Sequence, residues 1–339
     1  MRYIGCKRLL LGEIERVIRE NIKDNSKVFC DIFSGTACVA QHFKKQYKII
    51  SNDLLYFSFI LQKATIEGNK ALKFKVLDGK TASEYFNSLS LSEIEKLEKE
   101  KRFCQNNYSP LGKRMYMSEE NALRIDFIRN KAEEWKDNQQ ISDEEYFYLL
   151  AVLIEAVPFI SNISGTYGAY NKFWDKRSLN TLNLKEISIT DNKEKNKCYN
   201  EDGNRLIEKI SGDILYIDPP YNNRQYSPNY HVLETIARYN NPTLKGITGQ
   251  NNYKENKSLY CNKKSALISL EDLIKKAKFK HIILSYSTEG LMKEEEIENI
   301  FSKYTTKVKC YKIPYRRFKS RETNPEKELC ELIYYGEKI

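Results

Sequence analysis

The chain has 339 residues, 41% of them hydrophobic and 30% charged, with a formal net charge of +10. That length exceeds one average domain and can bury a full core, so two lobes, or one large α/β domain carrying an insertion, are expected and a disordered polycation is excluded. A basic balance built from charges of both signs favours an anionic partner, and no apolar run approaches the ~20 residues a membrane-spanning helix needs.

Leu9, Leu10, Ile14, Val17 and Ile18 recur at helical spacing, which predicts a helix over 7–21 behind the short turn RYIGCK. This charged, amphipathic start is not a signal peptide. VFCDIF (28–33) reads as a strand, and the small residues of SGTACVAQHFKK open a second helix. YKIISND (47–53) is a second strand ending in an acid, and LYFSFILQKATIEG returns to helix. Such a β-α-β-α opening is typical of a parallel, doubly wound sheet. From about 70 to 200 the alternation is lost, and helical stretches at 91–102, 118–137 and 143–157 read as an insertion. GDILYIDPPY (212–221) restores a buried strand followed by a helix around 229–240, and KHIILSYS (280–287) is another strand. After a helix at 291–303, TKVKCYKIPYRRF (306–318) and ELCELIYYG (328–336) read as a terminal β-hairpin. The eight cysteines are scattered without a C-x-x-C pair, and only three histidines accompany them, so they read as reduced thiols of a cytoplasmic protein with no metal site.

Three strands end in polar signals, and ligands of open parallel sheets bind at the carboxyl ends of strands. After the first, Asp31-Ile-Phe-Ser-Gly-Thr carries one well-placed glycine, Gly35, where a ligand could approach the backbone. After the second, Asp53 stands where an acid can accept from both hydroxyls of a ribose. Taken singly, Gly35 also suits a plain tight turn and Asp53 an ordinary helix cap. The third end is Asp218-Pro219-Pro220-Tyr221. The prolines stop the strand and stiffen the turn, and the residues following Asp218 and Pro219 lack amide hydrogens, which favours free carbonyls. A carboxylate and a carbonyl held there suit an amino group that must donate two hydrogen bonds. When a ring-conjugated amine donates both hydrogens in this way, its lone pair can localise for attack. Tyr221 offers a face on which a flat base can stack.

With DIFSGT upstream and RYIGCK at the amino terminus, the Asp-Pro-Pro-Tyr segment resembles the Dam-type amino-methyltransferases that methylate N6 of adenine in DNA. The strings NISGTYGAYNKFWDKRSL and DPPYNNRQYSPNYHVLETIARY make it most similar to those of restriction-modification systems, from residue 2 to about 336. The resemblance implies a Rossmann-like α/β fold of the S-adenosylmethionine-dependent methyltransferases. Its mixed sheet would end in an antiparallel β-hairpin. Residues 1–69 and 198–339 would form the catalytic domain, and 70–197 a mainly helical target-recognition insertion. It places S-adenosylmethionine contacts at Tyr3, Lys7, Asp31, Phe33, Ser34, Gly35, Thr36, Asp53, Asp202 and Asp218, with Ala37 where the family carries a second glycine. Catalysis falls to Asp218, Pro219, Pro220 and Tyr221, by direct transfer to an adenine flipped out of the duplex. No cysteine lies in the Pro-Cys context that carbon methylation of cytosine uses.

Contacts to double-stranded DNA are expected from Tyr167, Lys172, Lys176 and Arg177 in SGTYGAYNKFWDKR, where aromatics alternate with cations and amides. Arg224, Tyr226 and Tyr230 in RQYSPNY, and Arg316 and Arg317 in IPYRRFKSR, complete the set. The resemblance also admits a cognate restriction endonuclease encoded nearby, and a monomer is expected. Three rival readings stand beside this one: methylation of cytosine N4 or an RNA base, a catalytically silent DNA-binding module, and a nicotinamide oxidoreductase.

Overall fold

The computed structural model describes residues 3–251, 254–314 and 329–339. Their contacts divide the chain into two units, one built on a sheet and one mainly helical.

The sheet unit comprises Gly5–Leu54, Glu194–Gln225 and Lys257–Ile339. Its strands are β1 (Val28–Asp31), β2 (Lys48–Asn52), β3 (Lys197–Tyr199), β4 (Gly212–Ile217), β5 (Phe279–Ser287), β6 (Thr305–Pro314) and β7 (Cys330–Lys338), in the order β3-β2-β1-β4-β5-β7-β6. β1 to β5 pair in parallel, and β7 runs antiparallel between β5 and β6. The central strands are buried runs of apolar residues, as strands covered on both faces must be. At one edge, β6 alternates and turns Lys307, Lys309 and Lys312 outward, a charge pattern that blunts an open edge. Strand order reverses between β1 and β4, so the switch point lies where Asp31 and Asp218 emerge.

The mixed sheet and terminal hairpin agree with the sequence reading, although the connection from 315 to 328, with Arg316 and Arg317, lies outside the described residues. Several elements were not foreseen, among them the short helices Ala82–Phe86, Phe103–Tyr108 and Gly203–Leu206. β3 is three residues long, too short to show a period, and the helix Lys263–Lys276 buries Ala266, Leu270, Leu273 and Ile274 beneath a surface of lysines. The expected helix over 7–21 begins with a 3-10 turn at Lys7–Leu10 and continues as Leu11–Asn21. The expected helix over 91–102 is broken into Leu91–Ile94 and a 3-10 turn at Lys99–Lys101. Only Ile94 of these is buried, so no apolar stripe holds a longer helix against a core.

The helical unit comprises Met1–Ile4, Leu55–Lys193 and Tyr226–Asn256, a different outline from the expected 70–197. Residues 55–69 and 226–256 pack here because their apolar faces, from Phe57, Ile60 and Leu61 to Val232, Leu233 and Ile236, enter the core formed by Glu119–Asp137 and Asp143–Ala156. Glu234 joins the helices within it. Its carboxylate, 1% exposed, accepts from the amides of Tyr56 and Phe57, both at 3.1 Å, at the open start of helix Tyr56–Gln62, and pairs with Arg238 at 2.8 Å. Among the described residues, no helix is long and apolar enough to cross a membrane.

Replacing Glu234 with alanine strands two amides at a helix start and removes the partner of the Arg238 guanidinium. Urea unfolding of Glu234→Ala is expected to show a loss of about 3 kcal/mol relative to wild type.

Candidate active site

Residues at the carboxyl ends of β1, β2 and β3 are joined by one buried amide. Asn52, at the end of β2, donates to the carbonyls of Ile32 (3.1 Å) and Glu201 (3.0 Å) and accepts from the Glu201 amide (3.0 Å). Asn200 donates to the carbonyls of Asp53 (2.8 Å) and Leu54 (3.0 Å). Neither asparagine was singled out from the sequence as a scaffold. The only signal was a polar residue at a strand end, which also fits an ordinary turn.

The glycine loop is shaped by the same region. The Ser34 amide donates to the Asn52 carbonyl (2.8 Å), and the Gly35 amide donates to Asp53 Oδ2 (2.8 Å). Gly35 and Ala37 both have positive φ, +52° and +60°, so the backbone turns back on itself where glycine is favoured and alanine is tolerated. Asp53 is thereby tied to the loop. Thr36 is half-buried beside them. Phe33 meets the edge of Tyr260 at 5.0 Å, and a Cβ on Gly203 would lie 3.2 Å from the Phe33 ring, so the chain passes closely there. Asp202, the expected adenine contact, caps the short helix Gly203–Leu206 through bonds from the amides of Asn204 (3.0 Å) and Arg205 (3.1 Å).

Buried charge concentrates around β1 and β4. Asp31 is 1% exposed, and burial pushes its carboxyl up to about 8, with the negative charge of Asp218 acting in the same direction. Asp31 Oδ1 and Ser34 Oγ are fully buried, and the Ser34 hydroxyl acts to lower the Asp31 carboxyl without outweighing burial. Lys7 is 4% exposed, with Nζ 3.3 Å from Asp218 Oδ1 and 3.2 Å from Glu331 Oε2. Burial opposes the charge of Lys7, but its two carboxylates outweigh burial and hold the ammonium above its ordinary range. Burial also raises the Asp218 carboxyl to about 7 despite Lys7. Tyr221 lies half-buried with its ring centroid 5.9 Å from Lys7 Nζ, and its carbonyl accepts from the Leu291 amide at 3.0 Å. Pro219 is buried and Pro220 half-buried. Lys7, Asp31, Asp218 and Tyr221 therefore meet within the sheet unit, and Glu331 is a member that sequence reasoning missed.

A family model described as D12 class N6 adenine-specific DNA methyltransferase matches residues 3–300. The chain belongs to this family. It is 52% identical over its whole length to the type II methyltransferase M.FokI of Planomicrobium okeanokoites, covering 53% of that protein. It is 45% identical over 99% of its length to the modification methylase StsI of Streptococcus sanguinis, covering 51% of it. Over 95% of its length it is 38% identical to M.NlaIII of Neisseria lactamica, of which it covers 94%. The chain thus spans about half the length of the first two relatives.

Other expected positions in this D12-class chain fall differently. Tyr3 belongs to the helical unit, stacked on Tyr230 at 4.7 Å and tilted against Tyr226 at 5.7 Å. Tyr167 and Tyr230, expected on DNA, are each 1% exposed, and this corrects the sequence reading. The Tyr167 hydroxyl bonds Ser161 at 3.0 Å, and the Tyr230 hydroxyl accepts from the Ile4 amide at 2.7 Å. Aromatic rings with paired hydroxyls are core residues, and period alone could not separate them from exposed ones. Lys172 and Lys176 are exposed, as is Arg224 in the sheet unit. Arg177 is partly held by the Ser161 carbonyl (3.4 Å) and Asp175 (3.7 Å), and Tyr226 is half-buried in the tyrosine stack.

Cys6, preceding Lys7, and Cys38, opening the helix after the glycine loop, have sulfurs 3.4 Å apart. The Cys38 thiol hydrogen-bonds to Cys6 and holds it below the ordinary cysteine range, while Cys38 is raised. Iodoacetamide is therefore expected to alkylate Cys6 well before Cys38 near neutral pH, as read by peptide mass spectrometry. The buried acids carry a second expectation. Their folded carboxyls bind protons more tightly than in the unfolded chain, whose value is about 4, so stability falls as pH rises from about 4 towards 8. Thermal unfolding without added cofactor should show that fall, and Asp31→Asn should flatten it.

Proposed function

We propose that the chain transfers a methyl group from S-adenosylmethionine to the N6 amine of adenine at a specific site in double-stranded DNA, as the modification half of a restriction-modification system. The observation that carries this reading is the placement of Asp218, Pro219, Pro220 and Tyr221 at the switch point of the sheet, with the Asp218 carboxyl raised by burial beside Lys7. Family membership supports the base and atom, and the names of the relatives support the modification role.

The donor set fits S-adenosylmethionine. Its amino-acid end brings ammonium hydrogens and its ribose brings hydroxyls, while Asp31 and Ser34 hold buried polar acceptor atoms and Asp53 stands beside the Gly35 amide. Lys7, Asp31, Phe33, Ser34, Gly35, Thr36 and Asp53 would hold it, with Asp202 contributing from its helix cap. Bound there, the cofactor supplies the electrophilic methyl group.

The chain's own residues orient the acceptor. Asp218 and the Pro219 carbonyl accept the two amine hydrogens of a flipped adenine, which directs the nitrogen lone pair. Tyr221 stacks on the base, and Pro220 keeps the turn stiff. Asp218 accepts a proton as the amine becomes more acidic on methylation, a role that its raised carboxyl suits. Lys172, Lys176 and Arg224 would contact the DNA backbone, with a cognate endonuclease as the functional counterpart in the cell.

Purified protein given labelled S-adenosylmethionine and unmethylated genomic DNA is expected, on digestion to nucleosides, to yield label in N6-methyladenine alone. Asp218→Ala should lower transfer at least about 10³-fold while DNA binding, read by mobility shift, stays within about threefold. Label on cytosine, or transfer by that variant near the wild-type rate, would overturn the reading.

A further inference from the structure

Glu331 stands one residue into β7, paired with Ser287 at the end of β5. Because β7 runs antiparallel to β5, it begins at the edge where the parallel strands finish. That topology carries Glu331 to the carboxyl edge of the sheet, although it lies 113 positions from Asp218 in sequence (331 − 218 = 113). Its side chain is 11% exposed and meets the Lys7 ammonium at 3.2 Å, while Asp218 meets the same ammonium at 3.3 Å.

One ammonium between two carboxylates leaves one negative charge uncompensated. A carboxylate that alone compensates a buried ammonium has its charge offset and the lone pairs of the contacted oxygen drawn on, so it is a weaker acceptor for a neutral amine. We propose that Glu331 is a positioning residue for methyl transfer, holding Lys7 between itself and Asp218 so that Asp218 keeps acceptor capacity for the target amine. This rests on reading Asp218 as the amine's acceptor.

The groups around Asp218 support the assignment. Lys7 and Cys6 face it from the amino-terminal segment, Asp31 from β1, Tyr216 from β4 and Glu331 from β7. Lys7 is the cation of this set. After burial, which is the largest influence on Asp218, Lys7 acts to lower its carboxyl and Glu331 acts to raise it. Without the Glu331 charge, Lys7 has one carboxylate to serve and settles on Asp218. The expected consequence is a stronger acid at Asp218, titrating at lower pH.

Carbon-13 NMR of protein labelled at the aspartate carboxyls reads this directly, with the Asp218 signal identified by its loss in Asp218→Asn. Wild type is expected to titrate well above pH 4, and Glu331→Gln to titrate at least one pH unit lower, a tenfold gain in acidity. Glu331→Asp, which withdraws the carboxylate by one methylene, should move the midpoint the same way by less, and it carries the test if the glutamine variant does not fold. A wild-type midpoint in the ordinary carboxylate range, or midpoints unchanged in the variants, would overturn the proposal. The titration needs neither cofactor nor DNA, so it stands apart from the functional reading. Single-turnover transfer to duplex DNA separates the two: no methylated adenine from wild type overturns the functional reading alone. Transfer whose acid limb does not follow the Asp218 midpoint in Glu331→Gln overturns the positioning role.

Discussion

The sheet unit depends on the amide of Asn52. A parallel sheet delivers its strand ends to one edge, but delivery alone leaves each following loop free to choose its own path. By binding the Ile32 carbonyl after β1 and both backbone groups of Glu201 after β3, Asn52 fixes the loops on either side of its own strand. It is 1% exposed, so the bonds form out of competition with water, and a lost partner there is costly. The glycine loop hangs from the same residue through the Ser34 amide, and Asp53 follows it directly. Small shifts at position 52 would therefore reach the glycine loop, Asp53 and the loop that carries Asp202.

Around that scaffold the site collects more buried acid groups than Lys7 pairs with. Asp31, Asp218 and Glu331 are three carboxyls, and Lys7 is in ion-pair range of two of them. Burial of unpaired acid is unfavourable to folding, and proteins retain it chiefly where chemistry uses it. A cationic sulfonium donor and an amine that loses a proton on methylation are chemical partners that such a surplus suits. The arrangement resembles a site whose electrostatics are completed by what it binds, in line with a family that acts on DNA through a methyl donor.

The helical unit meets a different requirement. Its core is rich in tyrosines whose hydroxyls are bonded within the chain, including Tyr108 to Thr235 and Tyr116 to His231 and the Tyr167 carbonyl. Interleaved aromatics and cations in the sequence suggest a surface for nucleic acid, and Lys172 and Lys176 are exposed. For Tyr167 and Tyr230 the same pattern signified packing, because a tyrosine can satisfy a core and a surface equally well until its neighbours are known.

By itself the sequence determined the parallel sheet, the positions of its central strands, the terminal hairpin and the Asp-Pro-Pro-Tyr turn. These follow from local causes: apolar runs that must be buried, prolines that cannot continue a ladder, and small residues where the backbone must turn. Only the tertiary structure decided that residues 55–69 and 226–256 pack with the helical unit, since amphipathic segments show that they need a partner without showing which one. It alone brought Glu331 to Lys7. That contact depends on the antiparallel direction of β7 and on its register against β5, long-range choices that leave no local mark on the residues that make them.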